Sequence, residues 1–245
     1  MDVFATHFPF LLISVIFLAV FTQTLSGFGV ALVSMALLPG IIGIHIASPL
    51  VALISLVLEA FLLWRYHQAL NLKAVWRLAL ASLAGIPAGI WLLNRADERI
   101  VLGLLGVVIL GYALYALLQL RLPGLSAPGW AYLSGFLSGL LSGAYNTGGP
   151  PVILYGDCRR WLPGEFKGNL QGFFLFNSIF VLASHALSGN LTPAVWQNFL
   201  WALPALAVGI ISGISLDRYL DPATFRKIVL VLLVVMGLRL ILSIV

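Results

Sequence analysis

Residues 142–151 read SGAYNTGGPP and interrupt a stretch that is otherwise apolar. GWAYLSGFLSGLL precedes them and VILY follows them, whereas the ten residues themselves include three glycines, two adjacent prolines, an asparagine and a threonine. Glycine and proline disfavour a continuous helix more strongly than any other residue. A second interruption, QTLSGFG, occupies residues 23–29. The sequence therefore predicts two helices that each break inside an apolar segment.

The composition identifies the class of protein. Of the 245 residues, 61% are hydrophobic and 9% are charged, whereas an ordinary soluble domain carries about 25% charged residues. This excludes a soluble domain and indicates an integral membrane protein. We attribute the net charge of +5 to Lys and Arg in cytoplasmic loops rather than to nucleic-acid binding. With one cysteine, Cys158, the chain forms no internal disulfide and no multi-cysteine metal site, and we expect no metal and no cofactor.

The apolar segments are long enough to cross a membrane, because a spanning helix needs about 20 apolar residues. We expect an all-α polytopic protein made of two repeats that are joined by a linker at 122–128. The first repeat, 1–121, contains a broken helix at 8–39 and helices at 46–66, 74–94 and 99–120. The second repeat, 129–245, contains a broken helix at 129–157 and helices at 168–187, 195–216 and 225–244.

Three short matches support the internal repeat. The pair SG at 26–27 matches SG at 142–143, NLKAVW at 71–76 matches NLTPAVW at 190–196, and GIPAG at 85–89 matches GIISG at 209–213. Each match is weak alone, but the three occur in the same order in both halves. An internal repeat in a membrane protein of this length indicates a transporter fold.

The distribution of Lys and Arg distinguishes parallel from inverted repeats. If each broken helix crosses the membrane once, the repeats are parallel and the 13 basic residues divide 5 to 8 between the two sides. If each broken helix enters and returns on one side as a hairpin, the second half is inverted and 10 basic residues lie inside against 3 outside. The positive-inside rule favours the inverted arrangement, with both termini in the periplasm.

The two breaks predict a site for an anion. Irregular backbone at membrane depth must be buried in protein or line a wet cavity, and a helix N-terminus carries free N–H groups and a positive dipole end. Pro150 and Pro151 suit the first turn of a new helix. The predicted substrate-binding residues are Gln23, Thr24, Ser26, Gly27, Phe28, Gly29, Tyr145, Asn146, Thr147, Gly148, Gly149 and Pro150. By contrast, small residues at helical spacing predict helix packing at Gly85, Gly89, Gly135, Gly139, Gly143, Gly209 and Gly213.

Polar residues inside the apolar segments are further candidates, since such residues are costly in a membrane. Glu59 lies six residues before Arg65 and is a candidate carrier of a coupling proton, although pairing near the interface is an alternative. Gln171 and Asn177 are six residues apart and point in different directions on a helix, so one of them lines the pocket and the other bonds a neighbouring helix. We expect His185 at the membrane interface.

The motif GLLSGAYNTGGPPVILY at 139–155 resembles the Gly-Gly-Pro signature of the TauE/SafE family of sulfite and organosulfonate exporters, also called the toluene-sulfonate uptake permease family. QTLSGFGVALVSMALLP at 23–39 resembles its first-half counterpart. The resemblance runs along nearly the whole chain. It implies transport of small sulfur-containing or carboxylate anions across the bacterial inner membrane.

We therefore expect a secondary transporter that works by alternating access, embedded in the lipid bilayer and holding its anion at the paired breaks. A passive anion channel on the same scaffold is the alternative, and saturation and counterflow distinguish the two. An enzyme is not expected, because the 8 acidic residues and 4 histidines are scattered along the chain rather than clustered as a catalytic site requires.

Overall fold

The computed structural model describes residues 3–120, 123–125, 127–216, 219 and 222–242. The chain termini at 1–2 and 243–245, residues 122 and 126 of the predicted linker, and Arg121 and Arg218 lie outside the described residues. In the part described, every regular element is a helix. The α-helices are α1 (Val3–Ser26), α2 (Val30–Leu37), α3 (Pro39–Ile42), α4 (Ile44–Tyr66), α5 (Leu72–Arg95), α6 (Glu98–Leu117), α7 (Gly129–Tyr145), α8 (Gly149–Cys158), α9 (Pro163–Leu187), α10 (Pro193–Leu216) and α11 (Pro222–Leu242).

The outer surface of the molecule is suited to lipid. Among the described residues, α4, α5, α6, α9 and α10 are each long and apolar enough to cross a membrane. Large apolar side chains are exposed on these helices, for example Val107, Trp91 and Ile211. An apolar surface of this extent is unfavourable in water but favourable in a bilayer. The prediction of an all-α polytopic membrane protein is therefore confirmed.

Helices α4 and α9 cross the molecule in opposite directions. Near the beginning of α4, Ser48 contacts His185 at the end of α9. Just beyond the other end of α4, the N–H group of Asn71 donates a hydrogen bond of 2.8 Å to the side-chain oxygen of Asn169, near the beginning of α9. The end of the bundle at which α4 ends and α9 begins also carries Arg65 and Lys167, and we call it the basic end.

Helices α5 and α7 pack in parallel and at unusually short distance. Gly85 and Gly89 on α5 face α7, while Gly135, Gly139 and Gly143 on α7 face α5. A Cβ atom at any one of these five positions would overlap backbone atoms of the facing helix. Glycine is therefore required here because the two backbones touch, as in other close helix pairs in membranes.

Helices α1 and α10 form a second parallel pair. Gly209 and Gly213 on α10 lie against Val20 and Thr24 on α1, where a Cβ atom at Gly213 would stand 2.6 Å from the Cβ atom of Thr24. The packing role that the sequence predicts for the seven glycines is confirmed at all of them.

Both broken segments are hairpins whose turns lie inside the bundle. Arg159, just after α8, donates a hydrogen bond of 3.0 Å from Nη1 to the backbone carbonyl of Leu125, just before α7. The α7–α8 hairpin therefore begins and ends at the basic end. In the other half, α1 runs parallel to α10, and α2 and α3 return the chain to the opposite end, where α4 begins. The two turns thus lie inside the protein rather than at its surface.

His185 lies in the last turn of α9 and is buried, with none of its surface exposed; its position at the membrane interface stays a prediction. Its Nδ1 atom is 3.1 Å from Nδ2 of Asn190 in the loop that follows α9. On the other side of the ring, Nε2 is 3.5 Å from Oγ of Ser48. The loop and α4 together cover the imidazole, which sequence position alone does not reveal.

Candidate functional site

The first break separates α1 from α2, and the side chain of Gln23 bridges it. The Oε1 atom of Gln23 accepts a hydrogen bond of 2.9 Å from the N–H group of Val30, the first residue of α2. Gly27 and Gly29 have φ angles of 85° and 125°, values that residues with a Cβ atom rarely adopt. Glycine lets the chain turn between the helices, and Gln23 fixes the position at which α2 begins.

The second break separates α7 from α8 and closes α7 with a left-handed residue. Asn146 has φ 56° and ψ 17°, and its N–H group donates to the carbonyl of Ser142. The N–H group of Thr147 donates to the carbonyl of Leu141 at 3.2 Å. This pair of bonds resembles the Schellman motif that commonly ends helices. Helix α8 then begins at Gly149, with two prolines in its first turn.

The two breaks line one cavity in the interior of the bundle. The cavity offers about 30 Å³ of space to the centre of a water-sized sphere. The lining residues come from both hairpins and from α4 and α9, and they are Gln23, Phe28, Gly29, Val30, Ala31, Leu32, Glu59, Ser142, Asn146, Thr147, Gly148, Gly149, Ile153, Phe174, Asn177 and Ser178. The beginnings of α2 and α8 therefore face the same small space.

The first break presents unused hydrogen-bond donors to this cavity. The Nε2 atom of Gln23 is buried and has no hydrogen-bond partner within the described chain. The backbone N–H groups of Gly29, Ala31 and Leu32 likewise make no hydrogen bond to another described residue. Helix N-termini leave such N–H groups unpaired, and a buried donor without a partner costs about 1–3 kcal/mol. A ligand that accepts hydrogen bonds would remove that cost.

The second break contributes fewer backbone donors than a helix N-terminus normally has. Pro150 and Pro151 have no N–H group, which leaves those of Gly148 and Gly149 without a hydrogen bond to the described residues. Thr147 adds a fully buried hydroxyl oxygen that also lacks a partner. The donors of the two breaks approach the cavity from different chain segments, so they can surround a ligand rather than bind one side of it.

The side chain of Asn146 is engaged with the protein. Its Nδ2 atom donates a hydrogen bond of 2.8 Å to Oγ of Ser55, in the middle of α4. Asn177 of α9 makes a second bridge, because it accepts from Ser82 at 2.7 Å and donates to Ser142 at 3.0 Å. These bonds hold the α7–α8 hairpin against three other helices and position the second break.

One carboxylate lines the cavity. Glu59 of α4 is buried, and its Oε2 atom accepts a hydrogen bond from the hydroxyl of Ser178 on α9. The lining residues include no Lys, Arg or His. The cavity therefore combines neutral hydrogen-bond donors with a single ionisable group.

The structure brings most of the predicted site residues together, but not all of them. The predicted residues that line the cavity are Gln23, Phe28, Gly29, Glu59, Asn146, Thr147, Gly148, Gly149 and Asn177. Those outside its lining are Thr24, Ser26, Gly27, Tyr145, Pro150 and Gln171. Gln171 instead donates a hydrogen bond from Nε2 to the carbonyl of Gly27 and so supports the first break from α9.

Several lining residues are absent from the sequence-based set. They are Val30, Ala31, Leu32, Ser142, Ile153, Phe174 and Ser178. A signal existed for two of them, because Phe174 and Ser178 share with the predicted Asn177 the i, i+3, i+4 spacing of one helix face on α9. Ala31 and Leu32 contribute backbone N–H groups, and their apolar side chains give no sign of this in the sequence.

Comparison with known proteins gives consistent results. The sequence model of the family described as Sulfite exporter TauE/SafE matches residues 12–240. The chain is 28% identical over 226 residues to the probable sulfite/organosulfonate exporter TauE of Cupriavidus necator, covering 90% of this chain and 88% of that protein. It is 29% identical over 181 residues to the probable inner membrane transporter protein TsaS of Comamonas testosteroni, covering 71% of this chain and 76% of that protein. No solved structure matches the chain significantly. The chain belongs to the sulfite exporter TauE/SafE family, as its Gly-Gly-Pro motif indicated.

Proposed function

We propose that the protein is a secondary transporter that moves a small sulfur-containing or carboxylate anion across the bacterial inner membrane. The family match and the two relatives named as transporters support membrane transport of an anion. The specific anion site is our inference from the cavity. The observation that carries it is that two helix N-termini, α2 and α8, line one buried cavity with unpaired donors.

In this proposal the anion accepts hydrogen bonds from both breaks. On one side are Nε2 of Gln23 and the N–H groups of Gly29 and Ala31, and on the other are the N–H group of Gly149 and the hydroxyl of Thr147. Neutral donors and helix dipoles stabilise an anion at membrane depth without the cost of a buried cation. The same division between two half-helices is known in other transporters.

The size of the cavity favours a compact anion. A cavity needs roughly 10–15 Å³ of this space to hold one water molecule, and this one has about 30 Å³. A headgroup of a few heavy atoms, such as sulfite or the sulfonate group of a small organosulfonate, matches this volume. A bulky organic tail requires that the cavity open toward one end of the bundle.

We further propose that the two halves are inverted repeats and that the protein works by alternating access. The antiparallel packing of α4 and α9 supports inversion, because these helices occupy equivalent positions after the two hairpins. Rocking of one half against the other, or movement of the hairpins, would open the cavity to each side in turn. The excess of Lys and Arg at the basic end supports a cytoplasmic location for that end and a periplasmic location for both termini.

A transport assay in proteoliposomes tests this function. Vesicles with purified protein and unlabelled sulfite inside should take up external [35S]sulfite by counterflow, and the uptake should saturate. Linear uptake without counterflow would instead indicate the passive channel on the same scaffold. If wild-type protein moved none of sulfite, methanesulfonate and acetate faster than empty vesicles, the proposed function would be refuted.

A further inference from the structure

The carboxylate of Glu59 shares the cavity with the donors that we assign to the anion. Glu59 is 5% exposed and lines the same space as Gln23, Thr147 and Gly149. The hydroxyl of Ser178 donates to its Oε2 atom. The carboxylate of Glu59 thus lies within the proposed anion site and not at the membrane interface.

The described surroundings of Glu59 provide no neutralising cation in the cavity. Helices α2, α3 and α10, which pack against α4, carry no ionisable side chain, and α7 carries only Tyr132 and Tyr145. On α9, Lys167 directs its ammonium group to the ring of Tyr66 at 5.6 Å.

The other ionisable groups near α4 also lie away from the cavity. On α9, Glu165 accepts a hydrogen bond from Asn71 at the basic end, and His185 contacts Asn190 at the opposite end. Beyond Glu59 on the chain, Arg65 stacks on Tyr66 and His67 contacts the carbonyl of Trp64. Among the described residues, the ionisable side chains named here therefore lie toward the basic end or toward the opposite end of the bundle, and none of them lines the cavity.

Two negative charges in so small a space within the protein repel strongly, because the effective dielectric constant there is lower than in water. An anion and an ionised Glu59 therefore disfavour each other, whereas an anion and a protonated Glu59 do not. A protonated carboxyl group also adds one O–H donor to the cavity. By linkage, the proton and the anion must strengthen each other's binding.

We propose that the anion and a proton on Glu59 occupy the cavity together, so that the protein carries both in the same direction. This inference rests on the proposed function and adds two points to it: the coupling ion is a proton, and it moves in the same direction as the anion. A proton from one side forms an O–H bond with the carboxylate of Glu59 as the anion binds. After the cavity opens to the other side, the anion dissociates and that proton leaves to the solution there.

The chemistry of the cavity favours a proton over a metal cation as the partner. The spare polar groups are the Nε2 atom of Gln23, backbone N–H groups and the hydroxyl of Thr147. The first two only donate hydrogen bonds and repel cations, so Thr147 offers the one spare side-chain oxygen among the described lining residues. A hard cation needs several oxygen ligands, and the described residues contain no group of three His, Cys, Asp or Glu side chains that could hold a metal.

The coupling has a consequence for direction. A proton gradient directed inward drives accumulation of the anion inside when both move together. For a singly charged anion, the paired movement carries no net charge. Export then proceeds only when the outward gradient of the anion exceeds the inward gradient of protons.

The test uses proteoliposomes that contain the full chain and an internal pH dye. Methanesulfonate is the probe because a sulfonate stays ionised near neutral pH and brings no proton of its own. In wild type, inward movement of [14C]methanesulfonate should acidify the interior. In Glu59→Gln, methanesulfonate exchange should persist, while acidification and accumulation driven by a pH gradient are lost. The matched control Glu98→Gln removes an exposed carboxylate at the beginning of α6 and should behave as wild type.

The remaining outcomes are also decisive. Acidification by Glu59→Gln at the wild-type rate, or wild-type uptake of methanesulfonate without acidification, would overturn the coupling while leaving the transport function intact. Absence of any exchange in wild type with methanesulfonate, sulfite or acetate would overturn the transport function itself. If Glu59→Gln does not fold, Ser178→Ala provides the second test, because it removes the hydroxyl bonded to Glu59. Its exchange should depend on pH differently from wild type, and an unchanged pH profile contradicts the proposal.

Discussion

The Nδ2 atom of Asn146 lies 2.8 Å from Oγ of Ser55 and donates a hydrogen bond to it. Asn146 closes the second helix break, and Ser55 lies one helical turn before Glu59 on α4. This one bond connects the hairpin that bears the anion donors to the helix that bears the carboxylate. If the α7–α8 hairpin moves relative to α4, this bond must break; if the bond persists, the hairpin and α4 must move together.

The side chain of Asn146 can be separated from its backbone by mutation. Glycine adopts a φ of 56° without strain, so Asn146→Gly keeps the turn and removes the amide. A buried hydroxyl at Ser55 then loses its partner at a cost of about 1–3 kcal/mol, and we expect about 5- to 150-fold weaker sulfite transport. Asn94→Gly on α5, at an exposed position, controls for loss of an amide. Wild-type kinetics in Asn146→Gly would remove this bond from the mechanism.

Gly149 allows the cavity itself to be filled. A Cβ atom there would stand 3.6 Å from the side chains of Phe174 and Ile153, which is ordinary contact. We expect Gly149→Ala to fold and transport, and Gly149→Leu to fold but lose sulfite counterflow because its side chain occupies the cavity. Gly111→Leu, at a position with open space, is the control. Counterflow by Gly149→Leu at the wild-type rate would place the anion elsewhere.

A substitution at the α5–α7 contact should act on stability. A Cβ atom at Gly139 would overlap the backbone of Ser82, and overpacking of this kind typically costs about 1–3 kcal/mol. Gly139→Ala should therefore lower the melting temperature of the purified protein, whereas Gly111→Ala should not. Equal melting temperatures for the two variants would show that α5 and α7 are not in close contact.

The hydrogen-bond donor of Gln23 at the first break can be replaced by an acceptor of the same shape. In Gln23→Glu, one carboxylate oxygen still accepts from the N–H group of Val30, while the other replaces the unpaired Nε2. We expect the new oxygen to repel the anion, so that sulfite transport is lost in folded protein. Gln197→Glu makes the same change at an exposed position on α10 and should transport normally. Retained transport in Gln23→Glu would exclude Nε2 as a ligand.

The sequence predicted the membrane class and the family because both depend on local features, namely apolar length and the Gly-Gly-Pro motif at 148–150. It did not predict which neighbours of a break face the cavity. Gln23 and Thr24 are adjacent, yet successive residues of a helix point about 100° apart, and Thr24 faces Gly213 of α10 instead. The same limit applies to Tyr145, which is buried beside the break but lies outside the lining of the cavity.

The roles of residues on segments distant from the breaks were harder still to predict from the sequence. The spacing of Gln171 and Asn177 showed that they point differently, but only the packing of α9 against both hairpins shows that Asn177 lines the cavity and Gln171 bonds Gly27. His185 illustrates the opposite case, in which a loop residue, Asn190, covers a side chain that the sequence places near a helix end.

The most direct test of an anion site between the two breaks is the melting temperature of the purified protein, measured without anion and with each of a panel of small anions that includes sulfite, a sulfonate and a carboxylate. A ligand that binds the folded state stabilises it by mass action, by about 2.7 kcal/mol at a concentration one hundred times the dissociation constant. We predict that sulfite, or a small sulfonate or carboxylate in the same panel, raises the melting temperature of wild type but not of Gln23→Glu. An equal rise in both proteins, or no rise with any anion, would contradict the site.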